Sequence, residues 1–272
     1  MTGLNAVAAL GTLAVILSLI MAGAWLVWRQ SGNSGWIDMI WTFGLGGLGC
    51  GSALLSQTGS ERRLIVGSLI VLWSLRLGLH IAHRTTKIVD DPRYAMLAKD
   101  WGQDARRQMF WLLQKQALVS IPLAFSMLLA ASNPAPGLRA QDIAAILIFA
   151  VAIGGEALAD EQLRRFRAHP ENKGSVCDTG LWGWSRHPNY FFEWLGWLAY
   201  PLFAIDFGGD FPWGFAALAG PICMYWLLVH VSGIPPLEEH MLRRHGSKFH
   251  DYQSKTSAFF PYPRHDARML WA

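Results

Sequence analysis

Three stretches of this chain carry ionisable side chains at helical spacing inside or beside apolar runs, where such groups are expensive and mark a site by default. In LWSLRLGLHIAHRTTK, Arg76 is followed by His80, His83, Arg84 and Lys87 at spacings of 4, 7, 8 and 11 residues, which is one helical face. Arg84 and Lys87 suit a membrane interface, but Arg76 lies deeper, so this face predicts a polar, water-filled cavity beside the helix. In GGEALADEQLRRFR, the residues Glu156, Asp160, Arg164 and Arg167 repeat the pattern, with Asp160 one turn before Arg164. Read plainly, this is a solvated helix end. Read functionally, it is a stem that offers two guanidinium forks to a phosphate, an anion that arginine binds bidentately. Spacing alone leaves both open.

The densest stretch is CDTGLWGWSRHPNYFFEWLGWLAYP, residues 177 to 201. Pro188 suits the first position of a helix, where its missing N–H is no loss. Asn189 and Glu193 then share a face one turn apart, with Tyr190 close to Glu193. Arg186 and His187 sit at the mouth, beside the N–H groups that make a helix start receptive to anions. An interfacial aromatic belt explains the Trp and Tyr residues, but not Glu193 inside an apolar segment. The closing stretch SGIPPLEEHMLRRHGSKFHDYQSKTSAFFPYP starts a helix at Pro235 and Pro236 and caps it at Gly246. Glu238, Glu239, His240 and Arg243 would project from this short amphipathic helix. The loop DDPRYAMLAKDWGQDARRQMFW, residues 90 to 111, is also charged and aromatic, with a proline-fixed turn.

One motif points elsewhere. GLGGLG, residues 44 to 49, fits the dinucleotide pattern G-x-G-x-x-G, which belongs between a strand and a helix. Here it lies in an apolar stretch with no βαβ pattern around it. Small residues in such a stretch mark close helix–helix packing in a bilayer, and that is the reading the context favours.

The elements that must position these groups follow from composition. Of 272 residues, 52% are hydrophobic and only 15% charged, against about 25% charged in soluble domains. A membrane span needs about 20 mostly apolar residues, and candidates fall at roughly 4–28, 36–56, 64–84, 109–132, 140–160, 188–206 and 211–232. The expectation is an all-α integral membrane protein: seven transmembrane helices, cytoplasmic loops and a short C-terminal amphipathic helix. Residues 1–272 would form a single membrane domain, with its cofactor-binding portion at about 140–262. The first segment has no basic leader, so it reads as a retained helix rather than a cleaved signal. Seven spans place only Arg62, Arg63 and Arg139 in the loops of one face and leave almost all other Lys and Arg on the opposite face. Cytoplasmic loops carry the basic excess, so the amino terminus is expected outside and the carboxyl terminus in the cytoplasm. This topology explains the net charge of +4, so no nucleic-acid partner is inferred. Three scattered cysteines provide no disulfide framework and no zinc pair, and no metal is expected.

Taken together, GLWGWSRHPNYFFE, ALADEQLRRFR and PLEEHMLRRHG…DYQSKTSAFFP resemble the steroid 5-alpha-reductase-like membrane proteins, nearest to the bacterial branch with the signature SRHPNYFGE. The resemblance runs over roughly residues 60 to 262 in the same order. It implies an NADPH-dependent membrane reductase that adds hydride and a proton across a C=C bond conjugated to a carbonyl. The implied partners are the lipid bilayer of a bacterial inner membrane and a flat apolar substrate, a 3-oxo-4-ene steroid or an isoprenoid. Asp160, Arg164 and Arg167 match the family's D-x-x-x-R-x-x-R, whose members contact the adenosine and phosphate end of NADPH. Asn189 and Glu193 match its N-[FY]-x-x-E near the nicotinamide, and Arg84 matches its arginine after the third span. Arg93, Arg186, His187, Tyr190, Glu239, His240, Arg243 and Tyr252 complete the expected cofactor set.

The chain departs from the steroid reductases at one position. They place a tyrosine in HYFHRT, paired with a glutamate of the second span, to polarise the substrate carbonyl. Here the stretch reads HIAHRT, with Ile81 at the tyrosine position. Asp38 and Gln57 lie near the two ends of the second span, and neither aligns securely with that glutamate. On chemistry alone Asp38, His80, His83 and Tyr94 are the candidate catalytic groups, since a neutral imidazole or phenol beside a developing enolate can act as general acid. The fragment RHP-x-Y with a later glutamate also resembles S-adenosylmethionine-dependent membrane methyltransferases of the isoprenylcysteine or phospholipid type. A non-enzymatic transporter would show two related halves with broken helices, and no internal repeat is visible.

Overall fold

The computed structural model describes residues 3–56 and 61–263. Eleven α-helices carry these residues: α1 (Gly3–Ser31), α2 (Gly35–Leu55), α3 (Glu61–Thr85), α4 (Pro92–Trp101), α5 (Ala105–Ser132), α6 (Ala140–Ala168), α7 (Pro188–Trp197), α8 (Ala199–Ala204), α9 (Ala219–Trp226), α10 (Ile234–His245) and α11 (Ser247–Lys255). The fold is all-helical among the described residues, with a single isolated β-bridge between Ser185 and Ser257.

Five helical stretches among the described residues are long and apolar enough to cross a membrane: Leu4–Ser31, Glu61–Thr85, Pro92–Ser132, Ala140–Ala168 and Pro212–His245. The other two expected spans fall short for identifiable reasons. α2 is 21 residues long, but its glycines and Asp38 dilute its apolarity. The stretch after Pro188 is divided between α7 and the short α8.

The described residues pack as two compact units, one drawn from Met1–Ala145 and Tyr200–Cys223 and the other from Ile146–Ala199 and Met224–Ala272. No linker or composition shift announces this division, because apolar helices build both.

In the first unit α2 lies against α1, α3 and α5, and α1 against α5. GLGGLG makes these contacts close. A Cβ on Gly46 would stand 2.3 Å from Ser74 Oγ, one on Gly49 2.6 Å from Met127 Sδ, and one on Gly44 2.6 Å from an Ile20 methyl. The motif is therefore a packing surface, as its apolar context predicts. At one end of this unit the fully buried Arg62 meets Asp142 at 2.9 Å and donates to the carbonyls of Asn133, Ala135 and Gly137. Arg139 pairs with the same Asp142 and donates to the carbonyls of Phe203 and Ile205. A buried ion pair holds together only when its remaining donors and acceptors are matched, and here they are.

In the second unit the loop before α7 is tied to α6. Trp182 Nε1 donates to the Ala159 carbonyl at 2.9 Å, and Leu181 N donates to Gln162 Oε1 at 3.0 Å. Gly180, at φ 60°, permits that approach, since a Cβ there would strike the Gln162 amide at 2.7 Å. The end of the described chain returns to the same loop: Arg186 N donates to the Ser257 carbonyl and Tyr262 N to that of Trp184. Phe259 and Phe260 then pack edge-on against Phe191 and Trp194, in the arrangement aromatic rings prefer.

Candidate functional site

Beside the buried Arg62–Asp142–Arg139 network, many of the expected site residues gather into one cluster in each unit. In the first unit the cluster forms where α2 begins, α3 ends and α4 starts. Asp91 caps α4 by accepting from Arg93 N at 3.0 Å, with Pro92 in the first turn, where a missing N–H is tolerated. Arg84 at the end of α3 and Arg93 in α4 both pair with this carboxylate at 3.0 Å. Burial works to raise the Asp91 carboxyl, but the hydrogen bonds and charge of Arg93, with the charge of Arg84, outweigh it and hold the group below the usual carboxylate range. Arg93 also pairs with Asp38 of α2. The Tyr94 hydroxyl donates to the other oxygen of Asp38 at 2.9 Å and accepts from Gln116 Nε2 of α5 at 2.8 Å. Tyr94 and Asp91 are buried.

Four expected residues are thus brought together: Asp38, Arg84, Arg93 and Tyr94. His80 and His83 lie on exposed positions of α3, Arg76 is half-buried on the same helix, and Lys87 follows the helix in a turn. Gln57 lies outside the described residues. Asp91 and Gln116 are the members that spacing did not single out. Each sits on a different element from Asp38, so nothing local in the sequence links them to it.

The second cluster centres on Glu238 of α10. Arg186 Nε donates to it at 2.7 Å, His187 Nε2 meets it at 2.9 Å, and Gln253 Nε2 donates at 2.7 Å. Arg186 Nη1 further donates to the Gln253 and Thr256 carbonyls, so this arginine is committed to fastening the loop before α7 to the tail. Tyr252 is committed likewise, with its hydroxyl donating to the Trp182 carbonyl. Burial lowers the pKa of His187 below the ordinary histidine value despite the pull of Glu238. With Nε2 facing Glu238, the ring's Nδ1 is left buried with no hydrogen-bond partner among the described residues. The ring stacks on Tyr190 with centroids 5.5 Å apart.

α7 presents Asn189, half-buried, and Glu193, buried, one turn apart, and Glu193 accepts from Trp197 Nε1 at 2.9 Å. Glu156, Asp160, Arg164 and Arg167 all lie on α6, which continues as an unbroken helical stem to Ala168. The Arg164 partner is Glu161, at 2.6 Å, and Arg165 shares that carboxylate. Asp160, the neighbour the spacing suggested, is four residues back; the three-residue step brought the longer Glu161 side chain into reach. Arg164 remains 67% exposed. Glu239, His240 and Arg243 are exposed on α10, with Arg243 paired to Glu239 at 2.6 Å. Glu238, the hub of this cluster, was visible only as one of several charges on an amphipathic helix. Its partners Arg186 and His187 stand about fifty residues away in the chain. No group of three or more His, Cys, Asp or Glu among the described residues is arranged to hold a metal.

Compared with known proteins, the chain matches one family model, described as a protein of unknown function, DUF1295, over residues 24–256. No curated protein and no solved structure matches it.

Proposed function

We propose that this chain, which belongs to the DUF1295 family, is a membrane-embedded NADPH-dependent reductase of the steroid 5-alpha-reductase-like kind. One observation carries the reading. The three segments that bear the resemblance lie far apart in sequence, yet they fold onto one another within a single unit. Trp182 joins α6, Tyr252 joins Trp182, and Arg186 and His187 join Glu238. A shared pattern that also shares a site is stronger support than three separate motif matches.

NADPH, when bound, supplies the hydride; the chain supplies binding, orientation and exclusion of water. The residues in reach of solvent fit an anionic dinucleotide. Arg164, beside Arg165 and Arg167 at the end of α6, would take phosphate oxygens. Asn189 and Glu193 on α7 would orient the nicotinamide half. Arg186 and Tyr252 would act one step back, by holding the loop in place. In the first unit Tyr94 and Asp38 supply the tyrosine–carboxylate pair whose usual position is occupied by Ile81. Tyr94 is preferred to His80 or His83 as proton donor because its hydroxyl is held in place by Asp38 and Gln116; to protonate a substrate it must turn its single O–H from Asp38 to the substrate oxygen. The reading includes seven spans, with the two glycine-rich or broken segments completing the five apolar ones, a cytoplasmic carboxyl terminus and a bacterial inner-membrane location. It takes a flat apolar enone, a 3-oxo-4-ene steroid or an isoprenoid, as substrate.

The test is oxidation of NADPH by the detergent-purified protein with a 3-oxo-4-ene steroid. Wild type should turn over, and Tyr94→Phe should lower kcat by about a hundredfold, the usual scale for a lost general acid. Turnover unchanged in Tyr94→Phe would remove Tyr94 from the chemistry. An alternative is S-adenosylmethionine-dependent methyl transfer. It gains from the pairing of Arg164 with Glu161, which offsets the positive charge that argues for a phosphate-bearing ligand.

A further inference from the structure

Apart from both clusters, the first unit contains a cavity of about 260 Å³ where α1 ends. Trp28, Arg29 and Gly32 at the end of α1 line it together with Asp90 and Arg106. The depression is open to the surface, and two small side chains of α4, Ala95 and Ala98, also line it. The walls are held together: Trp25 Nε1 donates to the Arg106 carbonyl at 2.9 Å, and the Arg29 guanidinium lies 4.6 Å over the Trp25 ring. Three donors, Ser34 N, Ser34 Oγ and Asp91 N, converge on one Asp90 oxygen, Oδ1. They fix the carboxylate in the wall.

The same helix, α1, also carries an apolar track. Val15, Leu19 and Leu26 fall on one helical face and are 60%, 67% and 48% exposed. Arg29 follows Leu26 by three residues on that face, at the end of the apolar run. A charged pocket at the end of an exposed apolar stripe has the layout of a phospholipid, a headgroup at one end and an acyl chain along the other. Basic pockets between spans on the basic side of a membrane protein bind lipid headgroups, and arginine forks suit phosphate oxygens.

We propose that this cavity holds the headgroup of an amine-bearing phospholipid, with its phosphate on Arg29 and Arg106 and its ammonium at Asp90. The fixed carboxylate gives the selectivity. A phosphate alone meets Asp90 as a like charge, and a trimethylammonium headgroup has no N–H to donate to it. Neither the cavity nor the stripe belongs to the reductase reading, so the two stand or fall separately.

The experiment uses the full chain in detergent, without NADPH, and measures retained lipid by native mass spectrometry alongside Tm. Phosphatidylethanolamine, phosphatidylcholine and inorganic phosphate are added in parallel. Wild type should retain phosphatidylethanolamine in preference to phosphatidylcholine, and inorganic phosphate should not displace it. The double variant R29Q/R106Q should bind it at least roughly tenfold more weakly, as expected for lost charge-assisted hydrogen bonds. Asp90→Asn should erase the preference for the amine. Ala98→Phe, which fills the cavity without altering charge and leaves the Asp90 contacts in place, should also abolish retention. Equal binding by wild type and the folded Ala98→Phe and R29Q/R106Q variants would overturn the proposal. So would equal binding of phosphatidylcholine, or displacement by inorganic phosphate.

Discussion

Arg164 holds its charge in water at the end of α6, two-thirds exposed and sharing Glu161 with Arg165. An exposed pair of this kind contributes little to stability, so Arg164→Ala should leave Tm near that of wild type. On the proposed function it should raise KM for NADPH more than it lowers kcat, because it removes binding remote from the reacting bond. Glu193→Gln, at a buried position on α7, should instead depress turnover. Steady-state kinetics of both variants separate these roles, and equal parameters in wild type and Arg164→Ala would end the phosphate assignment. His187 carries a different prediction. Its folded pKa is depressed by burial, so the neutral ring stabilises the fold above the unfolded value of about 6.5. That contribution is lost as pH falls through the folded pKa, with a limiting slope of about 1.4 kcal/mol per pH unit. Asp91, also depressed, adds an acid-side loss only at still lower pH, below the unfolded carboxylate value of about 3.9. Tm of wild type should therefore drop between pH 7 and pH 5, and His187→Gln should flatten that part of the profile. An equal drop in both would place the sensitive group elsewhere.

The elements divide between those that local chemistry announces and those that distant contacts decide. Pro188 and Gly246 mark a helix start and a helix end, and α7 and α10 begin and stop there. The α6 stem was legible because acidic and basic residues recur along it at helical spacing. The partner of Arg186 was not. Glu238 lies 52 residues on, and nothing in a helix of mixed charge singles out the member that will become the hub. The Tyr94–Asp38 bond was equally hidden, since it joins α4 to α2 across 56 residues. GLGGLG shows the opposite case, in which a motif read alone misleads and its apolar context corrects it. Gly46 meets Ser74 almost at contact, whereas Gly47 faces open space. Gly46→Val should therefore lower Tm by several degrees, about 2–4 °C for each kcal/mol in a chain of this size. Gly47→Ala should be neutral or slightly stabilising, since it reduces unfolded-state freedom. Folded protein of either variant should bind NADPH like wild type; loss of binding confined to Gly47→Ala would revive a nucleotide role for the motif.

At the scale of the whole molecule, the five apolar helices among the described residues, the membership in DUF1295 and the two polar clusters frame the protein. The proposed chemistry makes one demand on all of them: the native chain must recognise NADPH. The most direct measurement is Tm of the detergent-purified protein with NADPH, NADH and S-adenosylmethionine added in parallel. A ligand that binds only the native state adds about 2.7 kcal/mol at a hundred times its Kd, which a thermal scan resolves. The account predicts a clear upward shift with NADPH, a smaller one in Arg164→Ala, and none with S-adenosylmethionine. A shift with S-adenosylmethionine alone would contradict it and assign the site to methyl transfer, and a folded protein that shifts with none of the three would contradict the enzyme reading itself.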